Sequence, residues 1–213
     1  MANSSNHPKI KICGITNLAD ARFIAGAQAD YLGFIFYENS PRYIEPAQAG
    51  AIINWIEGPQ KVGVFVNQPL DDVNLMARQT GVDLVQLHGN ESPEYCSLVE
   101  KPIIKVIHVT EKLTPKSLER EAKKFFPLVE YFLFDTKTNA RWGGTGQTFD
   151  WDLLQELNTD IPLFLSGGIN AENAGQAQQK VLPYGFDLCS SLERQPGKKD
   201  FDKVEAFMHK IRN

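Results

Sequence analysis

The 213-residue chain has little of what builds disulfide, metal or nucleic-acid sites. Its three cysteines, Cys13, Cys96 and Cys189, are odd in number and share no spacing. That is a poor disulfide framework and fits a reducing, cytoplasmic setting. Its four histidines stand at 7, 88, 108 and 209, none paired with a cysteine at zinc-site spacing, so no metal is expected. There is no basic excess: 22 Lys and Arg face 26 Asp and Glu, a formal charge of −4. Nucleic acid is therefore not an expected partner. No apolar run reaches membrane-spanning length, and residues 1–8 contain no apolar core of a signal peptide. Those residues read as a flexible lead-in, and 9–213 as one domain. The first apolar run ends Cys13-Gly-Ile-Thr16, without the GxGxxG turn that opens a dinucleotide-binding sheet.

What is present is ordinary globular composition, 42% hydrophobic and 23% charged, arranged as a structural repeat. Eight short apolar runs occupy 10–13, 31–36, 62–66, 84–87, 103–107, 131–134, 163–165 and 186–189. Most lack strict alternation, as strands buried on both faces do. Helix-like segments follow at 17–27, 46–55, 70–79, 92–99, 117–126, 151–157, 170–179 and 201–211. Asn17 reads as an N-cap, and Ser92 as a cap before Pro93 at the first helical position. Eight strand–helix units with short connections predict a single (β/α)₈ TIM barrel: a parallel eight-stranded barrel with outer helices. An open doubly wound sheet is the alternative. The connection from Thr136 to Asp150 is unusually long and contains Gly143-Gly-Thr-Gly146. It reads as a lid over the barrel mouth or as a variable surface loop.

A barrel of this kind works at the ends of its strands. Strand one ends at Cys13, a buried small hydrophobe or a reactive thiol. Strand six ends at Asp135, either capping the next loop or serving as a neutral general acid. Strand seven runs into Ser166-Gly167-Gly168, whose open N–H groups precede a helix expected from Asn170, an arrangement that suits an anion. Strand eight leads from Asp187 to Cys189, Ser190 and Ser191. Loops after strands seven and eight are where barrels commonly hold phosphate, so a phosphorylated small molecule is the expected substrate. Arg42, in Ser40-Pro41-Arg42, could clamp a carboxylate or lie solvated on the surface. Gln86 and His88 flank the end of strand four, as structural hydrogen-bonders or as part of the site.

Together these segments resemble the phosphoribosylanthranilate isomerases. The resemblance runs from Lys11 to about Asp200. It is carried by Lys11-Ile-Cys-Gly-Ile-Thr16, Gly33-Phe-Ile-Phe36 with Ser40-Pro-Arg-Tyr-Ile44, Val62-Gly-Val-Phe-Val-Asn67, Val85-Gln-Leu-His-Gly89, Phe134-Asp-Thr-Lys137, Gly143-Gly-Thr-Gly146 with Phe149-Asp-Trp151, Leu165-Ser-Gly-Gly-Ile169 and Pro196-Gly-Lys-Lys-Asp200.

The resemblance implies a cofactor-free rearrangement of an N-ribosylated anthranilate phosphate to the aminodeoxyribulose phosphate. It makes Asp135 the general acid and Cys13 the general base. Arg42 would hold the anthranilate carboxylate, and Gly167, Gly168, Ser190 and Ser191 the phosphate. Gln86, His88, Gly144, Gly146 and Asp187 would contact the rest of the substrate. Such chemistry asks for a carboxyl raised from about 4 and a thiol lowered from about 8.5. One segment departs from the family's pattern, at two positions: Cys189-Ser190-Ser191 stands where two serines and a glycine are expected. A phosphosugar-binding barrel without catalysis, or an isomerase of a related aminosugar phosphate, are the competing readings. A lysine-dependent ring closure fits poorly, because strands one, two and six end in Cys13, Phe36 and Asp135. A monomer or homodimer is expected.

Overall fold

The computed structural model describes residues 7–110, 113–136, 150–155, 157 and 161–212. The lid, with Gly144 and Gly146, lies outside them, as does most of the N-terminal lead-in.

Eight parallel strands close on themselves in sequence order. They are β1 (Lys9–Cys13), β2 (Tyr31–Ile35), β3 (Gln60–Phe65), β4 (Leu84–Leu87), β5 (Ile103–Val109), β6 (Tyr131–Thr136), β7 (Leu163–Leu165) and β8 (Gly185–Leu188). Closure is made by β1 against β8, in register from Lys9↔Gly185 to Ile12↔Leu188. Between and after the strands run α1 (Leu18–Gly26), α2 (Pro46–Ile53), α3 (Leu70–Thr80), α4 (Pro93–Cys96), α5 (Pro115–Lys123), α6 (Asp152–Gln155), α7 (Ala174–Val181) and α8 (Phe201–Arg212).

Local chemistry explains where several helices begin. Asn17 Oδ1 accepts from Asp20 N and starts α1 as the sequence suggests. Helix α5 begins at Pro115, two residues before the expected start. Thr114 and Ser117 form a reciprocal capping box there, with proline at the first helical position. Helix α7 begins at Ala174, four residues late. Asn170 Oδ1 accepts from the N–H groups of Glu172 and Asn173, and this side-chain turn competes with the helix.

After β8 the chain makes a short 3₁₀ turn, Ser190–Leu192. It then forms an antiparallel hairpin, β9 (Glu193–Gln195) with β10 (Lys198–Lys199). The eight-unit pattern contains no sign of this hairpin.

The strands bury two separate apolar layers. The large one lies between barrel and helices, and includes Ile10, Ile12, Phe34, Phe65, Val85 and Phe134. The small one plugs the lower barrel interior with Tyr31, Val62, Leu84, Ile104, Val106, Leu133 and Phe164. Strand side chains alternate in direction, so residues two further along each strand share the interior face. Leu84 is thus followed upward by Gln86 and His88, and Leu133 by Asp135. The apolar plug forms the floor on which the polar residues stand.

Candidate active site

Above that floor opens a cavity of about 760 Å³. Cys13, Arg42, Gln86, His88, Asp135 and Asp187 all line it, six residues the sequence had singled out. Ser166 and Cys189 also line it, and Ile35, Val64, Tyr37 and Pro41 supply an apolar wall. Gly167, Gly168, Ser190 and Ser191 adjoin this lining in sequence, next to Ser166 and Cys189, but are not among the lining residues.

Asp135 is buried at the end of β6, with Oδ2 3.5 Å from His88 Nε2. That His88 nitrogen is buried and has no hydrogen-bond partner. Its ring is oriented from the other side, where Gln86 Nε2 meets His88 Nδ1 at 2.9 Å. Beside it His108 Nε2 donates to the His88 carbonyl at 2.9 Å. Burial, and then the neighbouring His88, push His108 down to about 4, so it is neutral at ordinary pH. Donor atoms of His88, His108 and Asp135 lie within 4.8 Å of one another, a set that could hold a metal ion. Spacing in the sequence hides this group, because its members come from three strands.

Cys13 is buried at the end of β1, and Gly33 of β2 is its register partner. A Cβ at Gly33 would lie 2.7 Å from Cys13 Sγ, so glycine makes room for the thiol. The expected lowering of this thiol is not found. A hydrogen bond with Cys189 and burial raise Cys13, while the nearby Lys11 ammonium works against them. The anionic character sits on Cys189 instead. Cys189 is lowered to about 7, first by the bond from Cys13 and then, against burial, by Lys199 and Arg42.

Three charged groups organise the mouth without having been singled out. Lys11 Nζ is fully buried and donates to Asp187 Oδ1 at 2.7 Å, across the β1–β8 closure. Burial disfavours both charges. Lys11 is nevertheless raised by Asp187, whereas Asp187 is raised because burial outweighs Lys11. The short contact favours the ionised pair, with Asp187 the costlier partner. Lys199 Nζ donates to the carbonyls of Cys13 and Cys189 and to Glu193 Oε1. Glu193 also receives Arg42, through Nε to both oxygens and Nη2 to Oε2 at 2.7 Å. Burial works against the Arg42 guanidinium, but these bonds with Glu193 outweigh it and raise Arg42. Arg42 is thus neither solvated nor free: it reaches the cavity already braced. A lysine inside an apolar run was the signal available for such buried pairs, at Lys11 and again at Lys105, which donates to the buried Glu91 Oε2 at 2.8 Å.

After β7, Gly167 and Gly168 both take left-handed backbone, at φ 84° and 66°. A side chain at Gly167 would collide with Thr136. Asn170 N is not open to a ligand, since it donates to Asn173 Oδ1, and Asn173 Nδ2 donates to Gly168 O. The expected nest at a helix start is therefore a glycine–asparagine turn that precedes the helix.

A family model described as N-(5'-phosphoribosyl)anthranilate (PRA) isomerase matches residues 10–210. The chain belongs to this isomerase family. A relative from Citrifermentans bemidjiense, an N-(5'-phosphoribosyl)anthranilate isomerase, is 44% identical over 205 residues, 94% of this chain and 95% of its own. The solved phosphoribosyl anthranilate isomerase from Thermotoga maritima superposes with a TM-score of 0.85 at 37% identity, covering 96% of this chain and 98% of its own. A further solved isomerase, in complex with reduced 1-(o-carboxyphenylamino)-1-deoxyribulose 5-phosphate, gives a TM-score of 0.82 at 34% identity, covering 96% and 98%. The isomerase barrel and the cavity at its strand ends thus coincide in one chain.

Proposed function

We infer that this chain is an aldose–ketose type isomerase of tryptophan biosynthesis, acting on N-(5-phosphoribosyl)anthranilate. The observation that carries the assignment of roles is the shared cavity: Cys13 and Asp135, from strands β1 and β6, line one space with Arg42 at its rim. The anthranilate ring takes the apolar wall of Ile35, Val64 and Pro41, its carboxylate facing Arg42. The phosphate lies over the β7 and β8 turns, against N–H groups of Gly167, Gly168, Ser190 and Ser191. Gln86, His88 and Asp187 meet the ribose.

Asp135 gives a proton to the furanose ring oxygen, and the bond from that oxygen to C1′ breaks. Nitrogen's lone pair completes an iminium, which acidifies the hydrogen on C2′. Cys13 thiolate removes that proton, leaving an enolamine. Its C2′ hydroxyl then loses a proton while C1′ gains one, and the ketone forms. The substrate's own iminium is the electron sink. Its positive charge also favours the Cys13 thiolate, which Cys189 and burial resist.

The substrate is a phosphorylated small molecule. No helix among the described residues is long and apolar enough to cross a membrane. Our reading places the enzyme in the cytoplasm, as a monomer or homodimer. The test is the fall in anthranilate fluorescence when protein meets freshly made phosphoribosylanthranilate. Rapid decay with the parent and none with Asp135→Asn is expected. No decay at high protein concentration would leave a phosphosugar-binding barrel without this activity.

A further inference from the structure

Lys11↔Asp187 and Ile12↔Leu188 are consecutive register pairs across the barrel closure. The next step along both chains brings Cys13 opposite Cys189. Adjacent strands lie about 4.8 Å apart, within the Cα separation of about 4.4–6.8 Å that a disulfide requires. Alternation sends both side chains inward, and both line the cavity. Each thiol shifts the other, Cys13 upward and Cys189 downward. Cys189 lies one residue past the end of β8 and is only half-buried, and Cys13 is followed by the left-handed Gly14 at φ 79°. The backbone can therefore adjust on both sides. Cys96, the remaining thiol, is buried on α4.

We propose that Cys13 and Cys189 form a reversible disulfide across the barrel mouth, through which peroxide shuts the enzyme off. Cys189 is the thiol that peroxide meets first, since Lys199 and Arg42 favour its thiolate. Its sulfur attacks one peroxide oxygen, the O–O bond breaks and hydroxide leaves, giving a sulfenic acid. Cys13 sulfur then attacks Cys189 sulfur and displaces the second oxygen as hydroxide. The two thiol protons convert both hydroxides to water. Two thiols and one peroxide become one disulfide and two waters, and a dithiol reverses the change. In the oxidised chain the Cys13 sulfur is bonded to Cys189 and is no longer a thiolate basic enough to take the C2′ proton. This loss of turnover rests on Cys13 as the base; the cross-link itself does not.

The test treats the reduced full chain with a small excess of hydrogen peroxide. Free thiols are blocked with iodoacetamide, peptides are mapped by mass spectrometry, and turnover is followed before and after dithiothreitol. A peptide linking Cys13 to Cys189 is expected, with turnover down roughly 10²-fold, the lower end for loss of a general base, and restored by the dithiol. Cys189→Ser should give no linked peptide. Both thiols still alkylated after peroxide, or oxygen added to them without a link, would overturn the proposal. A linked peptide with unchanged turnover would overturn the shut-off and the assignment of Cys13 as base together.

Discussion

Replacing Lys11 by methionine keeps the length and apolar stem of the side chain and removes its charge. Asp187 would then be a carboxylate buried at 7% exposure with its 2.7 Å partner gone. Breaking a buried pair from one side costs about 3–5 kcal/mol. A ceiling exists because the carboxyl can take up a proton instead. That costs about 1.4 kcal/mol for each pH unit above its ordinary value of about 4, hence about 4 kcal/mol at pH 7 and about 2 kcal/mol at pH 5.5. The sign follows from direction. Burial already raises Asp187, and losing Lys11 raises it further, so the folded carboxyl binds protons the unfolded one has released. Stability is retained below the unfolded value and lost as pH rises toward the folded one. Denaturation by guanidinium at several pH values should show the deficit of Lys11→Met growing from pH 5.5 to pH 7. The double replacement Lys11→Met with Asp187→Leu should recover most of the deficit. A deficit below about 1 kcal/mol, or one that does not change with pH, would refute an ionised pair at the barrel closure.

Cys13→Ala and Asp135→Asn should each lower kcat roughly 10²–10⁴-fold while affinity for a reduced product analogue, followed by calorimetry, changes little. Gly33→Ala pushes a methyl onto Cys13 Sγ and its Cα, 3.0 Å away. It should lower kcat roughly 10²-fold by misplacing the thiol and destabilise the fold by about 1–3 kcal/mol in thermal unfolding. Arg42→Lys loses the fork that grips Glu193 and should raise KM more than it lowers kcat in steady-state assays. Alkylation of Cys189 should rise with pH and reach half its maximal rate near pH 7, while Cys96, pushed up to about 11 mainly by burial, stays unreacted in peptide maps.

Much of this molecule is written locally. Short runs buried on both faces, each followed by an amphipathic segment, call for parallel strands and covering helices, and eight such units close a barrel. Strand-end position then singles out Cys13 and Asp135, because side chains two residues apart share a face and the strand termini open onto the cavity. Glycine at 33 and at 167–168 follows from close approach and left-handed backbone, which other residues adopt at a cost.

The tertiary structure decided what those residues meet. Closure sets the first strand beside the last, so Lys11 finds Asp187 and Cys13 finds Cys189 across 176 residues of chain. Arg42 finds Glu193, and Lys199 finds the carbonyls of Cys13 and Cys189, through a hairpin that no periodicity announces. These partners invert the expectation for Cys13: a thiol at a strand end suggested a thiolate, but burial and a second sulfur hold it protonated. Charge and protonation depend on every group within a few ångströms, and in a closed barrel those neighbours come from strands far apart in sequence.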